Sequence, residues 1–141
     1  MKKKVLFVLP SLQGGGAERV IVTLLKHLNR DIFELHLALV AKEGAYLSDV
    51  PDDIPIYDLG VKRVRYALFS MLKLIWKLKP DIVFSTLGHL NIALIMLKPL
   101  MPINTRIIVR EANTVTQFIQ YNSSPRIWTW FYRIFYKYAD V

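Results

Sequence analysis

The chain has 141 residues, enough to bury one hydrophobic core, so a single domain is the default. Hydrophobic residues make up 53% and charged residues 21%, and with no cysteine the chain can carry no disulfide, thiolate metal site or thiol nucleophile. The net charge of +8 is compatible with nucleic acid, an anionic membrane or an anionic substrate as partner, and the placement of that charge discriminates among them.

Lys2-Lys3-Lys4 precede the apolar run Val5-Leu6-Phe7-Val8-Leu9. That run is too short for a secretory leader or a membrane span, and Lys or Pro interrupts every longer apolar stretch. A cytoplasmic location is expected. The run reads as a buried strand over residues 4–9, and Val20, Ile21, Leu24, Leu25 and Leu28 recur at helical steps over residues 17–29. Between them lies Pro10-Ser11-Leu12-Gln13-Gly14-Gly15-Gly16-Ala17-Glu18-Arg19. Strand, glycine turn and helix bring free backbone N–H groups and the positive end of a helix to one point. Three glycines let the backbone approach a bulky anion, so Gly14, Gly15 and Gly16 are candidates to bind a phosphate or diphosphate. A tight turn without a ligand is the alternative. Arg19 stands where a dinucleotide fingerprint wants a small residue, and no Gly-Lys-Ser/Thr triplet exists for a nucleoside-triphosphate loop. Pro10-Ser11-Leu12 stand where a receiver-type domain would carry acidic residues.

A second strand is expected over residues 33–40, where Leu35, Leu37 and Leu39 alternate, then a polar loop and a short third strand over 54–57. A helix over residues 61–79 is stopped by Pro80. Its core face holds Val61, Val64, Leu68, Met71, Leu72, Ile75 and Leu78. Its opposite face carries Lys62, Tyr66, Phe69, Lys73 and Trp76, flanked by Arg65 and Lys77, with no acidic residue on the helix. Aromatic rings between cations fit a helix lying on an anionic membrane surface. The alternative is a helix packed on two sides with snorkelling lysines. Nucleic acid is not expected as a partner, since these aromatics sit on a helix and no RNA-module motif is present.

The fourth strand is expected over residues 81–85, a helix over 90–100 and the fifth strand over 105–110. Residues 112–124 read as a long polar loop, and Pro125 opens a final helix to about residue 138 carrying Trp128, Trp130, Phe131, Tyr132, Phe135, Tyr136 and Tyr138. Strands alternating with helices imply a Rossmann-like α/β fold, a parallel sheet with helices on both faces. Ligands of such sheets gather beyond the carboxyl ends of the strands. The segments reaching that edge are the glycine loop, Glu43-Gly44, Ser85 to Asn91, and Arg110-Glu111-Ala112-Asn113-Thr114. His89 can bond a sugar hydroxyl or phosphate, or simply its own helix start; Asn91 is similar. Arg110 and Glu111 are adjacent and so point to opposite sides of the strand, with Glu111 favoured to face the cleft. No Ser-His-Asp set, His-x-x-x-His or carboxylate cage appears, so no metal site is expected, and one cleft acid is too few for a glycosidase.

Three segments carry a family resemblance. The box from Leu9 to Arg19, with Gly14-Gly15-Gly16-Ala17-Glu18-Arg19 at its heart, resembles the start of the family 4 glycosyltransferases, which have the GT-B fold. Lys79-Pro80-Asp81-Ile82-Val83-Phe84-Ser85 resembles that family's entry to its fourth strand. Ile107-Ile108-Val109-Arg110-Glu111-Ala112-Asn113 resembles the fifth strand and loop of a subgroup acting on lipid-linked and polysaccharide acceptors. The resemblance implies the amino-terminal, acceptor-side half of a two-domain enzyme that moves a sugar from a nucleotide diphosphate donor with retention of configuration. It implies Gly14, Gly15 and Gly16 on the donor phosphates, Glu111 and His89 as catalytic candidates, and Asn91, Asn113 and Arg110 positioning hydroxyls. It also implies no cofactor beyond the sugar nucleotide, and a carboxy-terminal domain carrying most nucleoside contacts, without which the chain is expected to transfer nothing. The expected partners are the donor, a lipid-linked or polysaccharide acceptor and the inner face of the plasma membrane. A non-catalytic α/β module docking on anionic membrane is the alternative.

Overall fold

The computed structural model describes residues 1–111, 125–135 and 137. In chain order the elements are β1 (Lys3–Leu9), α1 (Gly16–His27), β2 (Phe33–Leu39), a 3-10 turn (Ala45–Asp49), β3 (Ile56–Asp58), α2 (Val64–Leu78), β4 (Ile82–Thr86), α3 (Gly88–Leu97), a second 3-10 turn (Lys98–Leu100), β5 (Arg106–Arg110) and α4 (Pro125–Phe135). The five strands form one parallel sheet in the order β3-β2-β1-β4-β5. The chain is a Rossmann-like α/β fold.

Alternation along the central strands splits the core in two. Val5, Phe7 and Leu9 of β1 meet Ile21, Val22 and Leu25 of α1 on one face. Leu6 and Val8 meet Ala67, Met71 and Ile75 of α2 and Leu90 and Leu94 of α3 on the other. β1 is buried on both sides and therefore reads as a continuous apolar run. The Pro-Asp pair before β4 has a structural task. Asp81 accepts the Lys4 amide at 2.8 Å, and its own amide donates to the Lys4 carbonyl at 2.9 Å, pinning the start of β4 against β1.

Several element bounds differ from the sequence expectation: β3 begins at Ile56 rather than residue 54, and α3 spans Gly88–Leu97 rather than residues 90–100. The helix expected from residue 61 begins at Val64. The Leu59 amide donates to the Leu39 carbonyl at 2.8 Å and the Val61 amide to the Val40 carbonyl at 3.0 Å, so pairing with the end of β2 runs past β3 to Val61, and the helix starts only after Arg63, an extended N-cap. Lys62 consequently lies in the connection before α2, off the helix face assigned to it. Ala67 and Leu74 complete the core face, both buried. The segment expected as a plain polar loop after β2 contains the 3-10 turn, and Val50 and Ile54 behind it are buried against the α1 face.

Candidate functional site

The sheet order places its switch point between β1 and β4. The connection leaving β1 goes to one face and the connection leaving β4 to the other, and the crevice outside the carboxyl ends at such a switch point is where open α/β sheets bind ligands. The glycine loop and Leu87-Gly88-His89 stand on the two sides of this switch point, each leading into a helix N-terminus.

On the β1 side, the loop after β2 clamps the glycine loop. Leu12 donates its amide to the Glu43 carbonyl at 2.9 Å, Tyr46 donates to the Leu12 carbonyl at 3.0 Å, and the Gln13 amide group bonds the Glu43 carboxylate at 2.9 Å. Gly44 has φ +123°, and a Cβ there would overlap the Leu12 carbonyl carbon and oxygen. Gly44 is thus required by close approach. Gly14 has φ +121°, a conformation that favours glycine. Gly16 differs from both. Its φ is not positive and nothing lies within 4 Å of an added Cβ, so neither backbone nor packing demands glycine there.

Gly15 is the N-cap of α1, and no side chain caps the helix there. The Glu18 carboxylate, in the first turn, lies where a Gly15 Cβ would stand. An acid at that place favours the helix start electrostatically. Glu18 appears in the glycine box of the sequence, but its role emerges only from the fold of the first turn.

On the β4 side, Leu87 has φ 127° and ψ 122°, a backbone geometry that costs a bulky residue of the order of 1–3 kcal/mol. This strain sits at the start of α3, where the chain turns off the sheet. His89 follows in the first turn, half-buried, and burial lowers its pKa from the ordinary 6.5. A neutral imidazole there can donate or accept a hydrogen bond to a hydroxyl.

Asn91 is fully buried in α3 and reaches the end of β5. Its side-chain amide donates to the Arg110 carbonyl at 3.0 Å and to the Glu111 carboxylate at 2.9 Å. Burial raises the Glu111 pKa, and the Asn91 hydrogen bond opposes that rise. Arg110 is exposed and turns the other way, with its guanidinium 3.5 Å from the Thr86 hydroxyl. The fold therefore brings Asn91 and Glu111 together and sends Arg110 to the opposite face of the sheet. Asn113 lies outside the described residues. Thr86, buried beside Arg110, is a cleft-edge residue the sequence did not single out, because one threonine at a strand end carries no pattern.

On α2 the three rings between cations are exposed: Tyr66, Phe69 and Trp76, with Arg65, Lys73 and Lys77 exposed beside them. Arg65 stacks on the Tyr66 ring at 4.8 Å and bonds its hydroxyl at 3.0 Å. Trp76 donates its indole N–H to the Leu100 carbonyl at 2.7 Å. No helix of the described residues is long and apolar enough to cross a membrane.

No protein-family model matches the chain, and no curated protein sequence matches it.

Proposed function

We propose that the chain is the acceptor-side half of a retaining glycosyltransferase that uses a nucleotide diphosphate sugar and a lipid-linked or polysaccharide acceptor. The observation that carries the reading is Gly16. Its glycine is required neither by φ nor by neighbours, and the missing side chain leaves the start of α1 open to a ligand at the switch point. Backbone N–H groups of the glycine loop would stabilise charge developing on the leaving diphosphate, a preorganised electrostatic role. Neutral His89 and the Asn91-held Glu111 carboxylate would orient hydroxyls from the opposite side of the crevice. The nucleoside would be held by a second domain.

The outer face of α2 supports an acceptor at a membrane surface. In a parallel sheet the helix from β3 to β4 runs back from the carboxyl edge, so Arg65 and Tyr66 in its first turns lie at the same end as the crevice. A peripheral seat on anionic lipid would bring a lipid-linked acceptor to that edge. The same exposed aromatics favour the second reading, a non-catalytic membrane-docking module.

Sugar transfer separates the two readings. The chain joined to its nucleoside-holding domain is supplied with UDP- and GDP-sugars and a lipid extract, and release of UDP or GDP is followed with the glycosylated lipid. Transfer that disappears in a folded Gly16→Trp variant supports the transferase. Vesicle binding with no transfer from any donor supports the docking module.

A further inference from the structure

The Trp76–Leu100 hydrogen bond ties the outer face of α2 to the connection between α3 and β5. That connection is unusually apolar for an exposed turn. Leu100 is 57% exposed and Ile103 is 97% exposed, and Met96 at the end of α3 is exposed beside them. Ile95, Met96, Pro99, Pro102 and Ile103 line a groove of about 690 Å³. On α2, Phe69 is 79% exposed and Trp76 49%. Phe69 and Trp76 are two helical turns apart and so lie on one line, which Trp76 joins to Leu100.

Charge surrounds this apolar strip. Arg65, Lys73 and Lys77 lie on the outer side of α2, and Lys98 opens the 3-10 turn. No acid occurs on α2. The neighbouring Asp58 is engaged in its own turn, accepting the Gly60 amide at 2.9 Å and the Lys42 amide at 3.2 Å. Among the described residues, the charged side chains on α2 and at the start of the 3-10 turn are all cations, and large apolar side chains beside them complement a surface with anionic headgroups over hydrocarbon.

We propose that the outer face of α2 and the connection through Leu100 and Ile103 form one surface that lies on an anionic phospholipid bilayer, with Leu100 and Ile103 as its inserting tip. The inference rests on the peripheral membrane seat proposed above, in which the first turns of α2 keep the crevice end at the headgroups, and assigns the deepest contact to the connection before β5, at the opposite, amino edge of the sheet. The cations stay at the headgroups, Phe69 and Trp76 sit at the interface, and Ile103 enters the acyl region.

The chain contains no cysteine, so a single introduced thiol reports one position. Ile103→Cys, Phe69→Cys and Thr23→Cys, the last on α1 across the sheet, are each labelled with an environment-sensitive fluorophore. Each is mixed with vesicles of phosphatidylglycerol and phosphatidylcholine bearing nitroxides in the acyl chains. The expected result is strong quenching at position 103, weaker quenching at 69 and none at 23. In unlabelled protein, Leu100→Ser with Ile103→Ser should weaken vesicle binding roughly tenfold. Lys73→Gln with Lys77→Gln should weaken it on the order of thirtyfold, and added salt should do likewise.

Binding with quenching at 69 but none at 103 overturns the inserting tip and leaves the α2 seat standing. No vesicle binding by the unmodified chain overturns both. A change at 103 that follows protein concentration without vesicles assigns the strip to a second copy of the chain and overturns the lipid assignment.

Discussion

The Asn91 side-chain amide holds the Glu111 carboxylate at 2.9 Å, across the gap between α3 and the end of β5. The bond fixes the acid on the α3 side of the sheet while burial raises its pKa above the ordinary 4.5. The folded state therefore binds that proton more tightly than the unfolded chain does. Its contribution to stability is undiminished below 4.5 and falls as pH rises from there through the raised folded value. Glu111→Gln keeps the acceptor oxygen and removes the titration. Its melting temperature should gain on the parent's as pH rises from 4.5 through the raised folded value. A difference in melting temperature that stays constant over that range contradicts the assignment.

His89 has the opposite sign. Burial lowers its pKa, so stability is undiminished above the ordinary 6.5 and falls as pH drops from there through the lowered folded value. In an NMR titration the His89 ring proton should show a midpoint below 6.5. A midpoint at or above that value would mean that a negative group or water reaches the ring and that the imidazole is not held neutral.

Gly16 and Gly44 should separate binding from folding. Gly44→Ala forces a Cβ into the Leu12 carbonyl at a positive φ and should destabilise the chain by about 1–3 kcal/mol. Gly16→Ala meets no atom within 4 Å, so its melting temperature should hold or rise. Diphosphate binding should nevertheless fall in Gly16→Ala. Calorimetry of both variants with inorganic pyrophosphate checks the pair, and full binding by Gly16→Ala removes the open approach on which the functional reading relies.

In the proposed site Glu18 would compete with a bound diphosphate at the same helix start. Removing its charge should raise pyrophosphate affinity about two- to fivefold, the effect of roughly 0.3–1 kcal/mol for one charge at a helix terminus. Glu18→Gln is the variant to titrate, because it keeps the side-chain length. Weaker binding in that variant would show that the carboxylate supports the loop conformation more than it repels the anion.

The parallel fold was legible because β1 is an apolar run and β2 an alternating one, separated by a glycine box and a periodic helix. Local pattern was sufficient there. The start of α2 was not legible, because Val61 and Val64 suit helix and sheet pairing equally, and only the bond to Val40 decides between them. Opposite orientations for Arg110 and Glu111 followed from strand alternation. The partner of Glu111 did not, since Asn91 is brought beside it by a parallel crossover that no local pattern encodes. Exposure of Tyr66, Phe69 and Trp76 followed from helical spacing, whereas Leu100 and Ile103 lie in turns without a period and reveal themselves only by exposure.

The most direct test of the central claim is an amide-resolved NMR titration of the chain with UDP, GDP and inorganic pyrophosphate. The account predicts shifts at Gly14, Gly15, Gly16 and Ala17 with all three, and at His89 across the crevice. No shift at the glycine loop, or shifts confined to the cationic face of α2, would contradict a diphosphate site at the switch point.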